Sequence, residues 1–375
     1  MLMGAVYSDK EIKATVNVER IDVLIKSEKE ILNFPGIIEL EGNNLALVYG
    51  RGRHGGKESR PAAFSYDFGK TWVDAPPEAP ISDNVQNSGN LGYLSDGTIG
   101  YIDNFPKEWL YIDPSLSSGI PWFNYKIEDP TFRFRRFSKK ADLIEETSFK
   151  VKGIPWKSAA YVTYGRILEL KDGTLLTTFL AVVDHREPGN RMNIRNMIAR
   201  SKDNGKTFEY VHDFYKVDNE SPGEAGFSEP DMLELANGDL LCIMRTGSHS
   251  PMYQSRSKDG GLTWSKPVCI GWPGVKPKMI LLKSGVLACS SGRGMYGRPQ
   301  ITYAMFSLDG TGDKWEYPMA FHTGGGCSYT TNMERDGKLY VVYSDSDFTS
   351  EIGSNKLPYQ SIKWAVIDVK KEKVT

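Results

Sequence analysis

An octapeptide that recurs along the chain constrains its fold more than any other feature. Residues 257–264 read Ser-Lys-Asp-Gly-Gly-Leu-Thr-Trp, a Ser-x-Asp-x-Gly-x-Thr-Trp box; residues 65–72 repeat it in full, and residues 201–208 repeat it with Phe208 in place of Trp. A degraded fourth copy runs from Ser307-Leu308-Asp309-Gly310 to Trp315. Repeats at intervals of tens of residues dictate architecture, because each unit buries its apolar faces only against its neighbours. Within a box the Asp carboxylate is suited to accept backbone N–H bonds and the Gly to take positive φ, with Thr and the aromatic residue packing beneath. The boxes therefore read as structural staples rather than as an active site.

A second repeat precedes the boxes. Residues 165–176 and 230–241 share one apolar pattern when aligned on Asp172-Gly173 and Asn237-Gly238, dipeptides that between apolar runs signal a β-hairpin with a type I′ turn. The same hairpin is expected at 90–102 (Asp96-Gly97), 277–289 (Ser284-Gly285) and 330–343 (Asp336-Gly337), and in looser form at 36–49. A third strand follows each hairpin, and a box, where present, turns the chain into a fourth. Four strands in units of roughly 50 residues make a propeller blade. The sequence thus predicts an all-β chain, one six-bladed β-propeller domain over residues 1–375. An insertion rich in Pro, Trp, Phe and Tyr is expected at about 104–155 in blade two. The alternating run 15–25 is expected to complete the last blade beside residues 361–367.

Composition narrows the partners. A net charge of −1 over 375 residues gives no electrostatic basis for a nucleic-acid or membrane-surface partner, and no apolar run approaches the roughly 20 residues of a spanning helix. The opening Met1-Leu2-Met3-Gly4 lacks a signal peptide's charged and apolar regions; the expectation is a cytoplasmic protein or a secreted or periplasmic form whose signal has been removed. Cys242, Cys269, Cys289 and Cys327 are far apart, without CxxC or Cys/His spacing. They are expected to be buried free thiols, with no metal and no cofactor. Nothing in the sequence speaks to oligomeric state.

In a propeller the residues heading each blade's first strand converge on one mouth. The hairpin alignment places Phe34, Ser88, Tyr164, Glu229, Lys276 and Ser328 there, followed two residues later by Gly36, Asn90, Arg166, Asp231, Lys278 and Thr330. Between them stands Tyr329, where the other blades carry Pro or Gly. The ends of the second strands add Arg51, Arg53, His54, Asp103, Arg245, Arg293 and Asp345. So many guanidinium forks favour a carboxylated ligand, which they match bidentately. An acidic glycan or glycoconjugate is the expected partner.

Together these residues resemble the sialidase (neuraminidase) superfamily of glycoside hydrolases, whose Asp-box repeats the boxes match over nearly the whole chain. The resemblance implies Tyr329, in Cys327-Ser328-Tyr329-Thr330, as nucleophile, and Glu229, in Ser228-Glu229-Pro230, as the base that takes its proton. Sialidases depart from the two-carboxylate scheme of retaining glycosidases by using tyrosine. The resemblance also implies Arg245 and Arg298 as two of three arginines that clamp the substrate carboxylate. The third should stand in a Phe-Arg-Ile-Pro motif, where this chain reads Phe34-Pro35-Gly36-Ile37; Arg51, Arg53 and Arg166 are the candidates to replace it. The family's acid/base Asp is missing from residues 50–60, where His54 and Glu58 are the groups able to shuttle a proton. Asp103 and Asp231 also lie near the expected mouth, though buried structural roles suit them better. The implied activity is exo-acting removal of a terminal acidic sugar, a sialic acid or related ulosonic or uronic sugar, with retention. The alternatives are a lyase acting on uronate-containing polysaccharide and a non-catalytic carbohydrate-binding propeller.

Overall fold

In the computed structural model the described residues are 3–9, 11–52, 62–76, 79–81, 91–105, 131–156, 160–182, 194–215, 226–294, 299–324, 329–346 and 360–374. Strands fill six sheets, one per blade, and the chain is an all-β, six-bladed β-propeller. It forms two compact units. The first comprises Met1–Ser88, Leu235–Gly238 and Trp272–Thr375, and the second Gly89–Glu234 and Asp239–Gly271.

The first unit holds blades one, five and six. Blade one is built from Leu32–Glu39, Leu45–Arg51, Ala62–Ser65 and Val73–Asp74, and blade five from Val275–Leu281, Leu287–Arg293, Ile301–Ser307 and Met319–Thr323. Blade six closes as expected. Its strands Thr330–Arg335, Lys338–Asp345 and Gln360–Lys373 are joined by the N-terminal strand Ile12–Ser27, which pairs antiparallel with Gln360–Lys373, and Gly4–Ser8 adds a fifth. Ala14, Val16 and Val18 of that N-terminal strand are buried with Ala365, Ile367, Ala288 and Phe306, so chain closure and core formation are one event.

The second unit holds blades two, three and four. Blade two reaches beyond the expected hairpin: Thr131–Phe137 and Leu143–Phe149, inside the range expected to be an insertion, are its third and fourth strands. Their sequence shows why, since Phe132 and Phe134 alternate with Arg133 and Arg135 at the two-residue period of a strand. The aromatic segment 106–130 lies outside the described residues. Blade three gains short strands at Leu168–Glu169 and Val151–Lys152, the latter parallel to Phe208–Phe214.

The boxes act as staples. In the copy at 257–264, Ser257 Oγ accepts from the Gly261 N–H (2.9 Å) and donates to Asp259 Oδ1 (2.8 Å). Asp259 in turn accepts from the Thr263 N–H (2.9 Å) and hydroxyl (2.5 Å), and Trp264 Nε1 donates to Gly261 O (3.0 Å). The copy at 65–72 repeats the set. Its Gly69 has φ 79°, and a Cβ there would lie 2.4 Å from Trp364 of blade six, so close packing as well as conformation requires glycine.

Two expectations change. The Asp336-Gly337 turn has positive φ at both residues, as a type I′ turn requires, but at 96–97, 172–173 and 284–285 only the glycine does. There Gly97, Gly173 and Gly285 donate back to Leu94, Leu170 and Leu282 while those leucines donate across the turn, the pattern of a type I turn closed by a left-handed glycine bulge. Cys242 and Cys289 are buried free thiols, but Cys269 is exposed; it lies on Val268–Pro273, the outermost strand of blade four.

Candidate active site

Three blades begin with one backbone device. In blades one, four and five the first strand reads Asn33-Phe34-Pro35-Gly36, Ser228-Glu229-Pro230-Asp231 and Val275-Lys276-Pro277-Lys278. Pairing to the second strand breaks at the same place in each, between Asn33 and Gly36, Ser228 and Asp231, and Val275 and Lys278. Proline has no N–H to give the ladder, so the strand bulges there. Phe34, Glu229 and Lys276 take φ of 48°, 41° and 44°, a left-handed conformation costing a non-glycine residue about 1–3 kcal/mol. The bulge turns these three side chains out of the pleat. Strain of this kind persists where the surrounding structure fixes it and is concentrated at functional sites.

In the second unit the bulge presents Glu229. Its carboxylate, 4 % exposed, accepts from Arg245 Nη1 (2.7 Å) and from the Tyr164 hydroxyl (3.4 Å). Arg245 ends the second strand directly opposite Ser228 and is fixed by its own Nε–H to Gly247 O (3.0 Å). The structure thus joins two of the residues named from sequence in one buried ion pair. Two residues on, Asp231 is buried and accepts both arms of Arg166 (2.8 and 2.5 Å), so this candidate for the replacement clamp already holds a carboxylate. Asp103 accepts two bonds from Arg133 (3.0 and 2.8 Å) and one from Arg135 (2.8 Å). Arg133 and Arg135 went unnamed in the sequence reading, although the Phe/Arg alternation of 131–137 was the signal that could have found them.

In the first unit the corresponding positions surround Tyr329. This residue, 7 % exposed, directly precedes the strand Thr330–Arg335 and packs on Val275 and on the Phe34 ring, centroid to centroid 4.8 Å. Its strand is stitched to both neighbouring blades. Thr330 Oγ1 donates to Ser290 Oγ (2.9 Å), Asn332 Nδ2 to Lys278 O (2.7 Å), and the Ile37 N–H to Thr331 Oγ1 (3.2 Å). Lys276 is buried at 3 % exposure. Arg51, about a third exposed, donates to Tyr49 Oη (3.0 Å) and lies 3.7 Å from Glu30 and 3.8 Å from Asp74.

Sequence reasoning also passed over His322. Its Nε2 lies 3.3 Å from Asp345, which accepts from Lys363 (2.5 Å) on the other side. Burial alone would raise the Asp345 carboxyl, but its bonds to His322 and Lys363 win and hold it at about 2. Arg53, His54, Glu58, Ser88, Asn90, Arg298, Cys327 and Ser328 lie outside the described residues.

The comparisons agree with this architecture. The BNR repeat-like domain family matches residues 131–341, more than half of the chain. A search of curated proteins finds no match. Among solved structures, a protein of unknown function from Dyadobacter fermentans superposes with a TM-score of 0.71 at 19% identity, covering 95% of this chain and 99% of that one. The intramolecular trans-sialidase from Ruminococcus gnavus, solved in complex with oseltamivir carboxylate, gives 0.60 at 14% identity over 93% of this chain and 97% of its own. The leech intramolecular trans-sialidase, solved with 2,7-anhydro-Neu5Ac, gives 0.57 at 14% over 95% and 70%. At these identities the structural likeness concerns the fold. With the matched repeats, the six blades and the sialidase-like superposition in agreement, the chain belongs to the BNR repeat-like domain family and has the fold of the sialidase superfamily.

Proposed function

We propose that the protein is an exo-acting glycoside hydrolase that removes a terminal acidic sugar, a sialic acid or a related ulosonic or uronic sugar, with retention of configuration. Tyr329 is the nucleophile and Glu229 its base. An anionic sugar repels a carboxylate nucleophile, whereas a phenol that loses its proton only as it attacks avoids that repulsion. Tyr329 Oη bonds to the anomeric carbon, its proton passes to Glu229, and the bond to the leaving oxygen breaks. His54 or Glu58 protonates that oxygen. Water, losing a proton to the same His54 or Glu58, then attacks the anomeric carbon from the face the leaving group vacated, and the departing Tyr329 oxygen takes its proton back from Glu229. Arg245 orients Glu229, and Arg298 takes the substrate carboxylate.

The observation that carries this reading is the strained Glu-Pro bulge. A buried carboxylate is turned out of its strand by a costly backbone conformation and gripped by one arginine at 2.7 Å, which is more than a turn needs. The test is a screen of aryl glycosides and oligosaccharides of sialic, ulosonic and uronic acids, followed by Tyr329→Phe and Glu229→Gln on whatever substrate turns over. Each variant is expected to abolish turnover, and normal turnover by either overturns the assignment. An unsaturated product absorbing in the near ultraviolet would identify a lyase instead.

A further inference from the structure

The missing clamp arginine raises the question of which cation meets the substrate acid on the Tyr329 side, and the arginines divide sharply on it. Every described arginine but one has a carboxylate within 4.0 Å. Arg51, Arg166, Arg195 and Arg245 are held by Glu30, Asp231, Asp213 and Glu229, and those outside the strand ends are likewise taken. Arg293 is the exception among the described residues. Among the described residues no carboxylate lies within ion-pair range of it, and its Nε, like those of Arg135, Arg136, Arg195 and Arg200, is buried without a hydrogen-bond partner. Leaving a buried donor of a charged group unsatisfied is costly.

Its backbone is unusual as well. Arg293 closes the second strand of blade five with φ 82°, and Gly294 continues at φ 100°. Arg293 directly follows Gly292, the partner of Val275 in the last regular pair before the blade-five bulge. Lys276 directly follows Val275. The two cations therefore flank one ladder pair diagonally, and that pair's Val275 packs against Tyr329. On the opposite side of the tyrosine, blade one offers the Phe34 ring, and Pro35 stands where the family's motif would have put an arginine.

We infer that Arg293, with Lys276 as its neighbour, joins Arg298 in receiving the carboxylate of the substrate beside Tyr329, so that the contact missing from blade one is supplied by blade five. This rests on the acidic-sugar reading above. The vacant guanidinium forks onto the sugar's carboxylate, and Phe34 is left to contact an uncharged, apolar face of the ring. The ligand class is a monocarboxylated pyranose, and an uncharged ester of the same sugar forfeits this contact.

The experiment is an NMR titration with sialic acid and glucuronic acid, each beside its methyl ester, using wild type, Arg293→Met and Arg293→Lys. Wild type is expected to prefer each acid over its ester. Arg293→Met should weaken the acid by about tenfold to a hundredfold, the loss of a charge-assisted bond, while binding the ester as wild type does. Arg293→Lys should keep part of the acid preference, since it retains charge but loses the planar fork, and it serves as the probe if the Met variant does not fold. An acid affinity unchanged in Arg293→Met, or equal losses for acid and ester, overturns the clamp and leaves the glycosidase reading standing. Failure of wild type to bind any of the acids overturns both.

Discussion

Two kinds of position recur at which the chain departs from plain strand, the box turns and the bulged strand heads of blades one, four and five, and they differ in their physics. At the box turns the polar atoms satisfy one another: Ser257, Asp259 and Thr263 form a closed hydrogen-bonded loop, and positive φ falls on Gly260-Gly261 in that copy and on Phe68-Gly69 and Asn204-Gly205 in two others. At the strand heads, Phe34, Glu229 and Lys276 carry positive φ without being glycine, and charged groups are buried beside them. The turns offset their backbone strain with local hydrogen bonds and are repeated almost letter for letter. The heads accumulate strain, and a different residue stands at each. Repetition marks a staple that the fold reuses, and variation on a shared strained backbone marks the positions at which the proposed chemistry would differ from blade to blade.

The sharpest way to break this comparison is to mutate both positions and measure both properties. At the heads, Tyr329→Phe is expected to lower turnover on the order of 10⁴-fold or more, as nucleophile removal does, while the melting temperature stays close to wild type. A large loss of stability with activity per folded molecule unchanged would make Tyr329 a packing residue and erase the distinction.

The next largest effect belongs to stability alone. Asp103→Asn leaves Arg133 and Arg135, both buried, facing an uncharged group. Breaking a buried ion pair from one side costs about 3–5 kcal/mol, measurable by denaturant unfolding. An effect below about 1 kcal/mol would show that water already screens the cluster.

How much of this was legible in the sequence follows from the same contrast. The box turns, the six hairpins and the closing N-terminal strand were readable because each is a local pattern with a local cause. The partners at the heads were harder, since ion pairing depends on which blades are neighbours. Even so, Arg166 and Asp231 hold equivalent alignment positions in consecutive blades, so their pairing follows once blade order is known. The strand 131–137 was obscured because arginine on the second face of a strand reads as solvent-exposed, whereas Arg133 and Arg135 face buried Asp103. The sequence placed Arg293 at a second-strand end but could not single it out: its distinction is the lack of a carboxylate beside it among the described residues, and only the pairing of every other described arginine reveals that.

At the turns the expected effects are smaller and are confined to stability. Ser257→Ala removes the hydroxyl that accepts from the Gly261 N–H, a buried donor, and should cost about 1–3 kcal/mol with turnover unchanged. Loss of activity at equal folded fraction would give the boxes a role in catalysis that their closed hydrogen bonding argues against.

The smallest effect separates the turns by pH. Hydrogen bonds from the Thr71 N–H and then its hydroxyl hold Asp67 at about 2, against 3.8 for an ordinary aspartate, and the Thr263 hydroxyl and N–H hold Asp259 at about 2. A folded value below the unfolded one means that the unfolded chain binds the proton first as pH falls. The stabilisation from each carboxylate is therefore complete above about pH 4 and is lost as pH falls toward 2. Asp259 is exposed and Asp67 only partly covered, so solvent screening keeps each contribution modest. Asp345 follows the same sign from a buried position, through His322 and Lys363. Thermal melting between pH 5 and 2 should decline for the wild type, and less steeply for Asp259→Asn across the lower half of that range. Asp345→Asn should flatten the same window. Parallel slopes in wild type and Asp259→Asn would mean that the turn hydrogen bonds persist in the unfolded chain, a local motif that forms before the blades do.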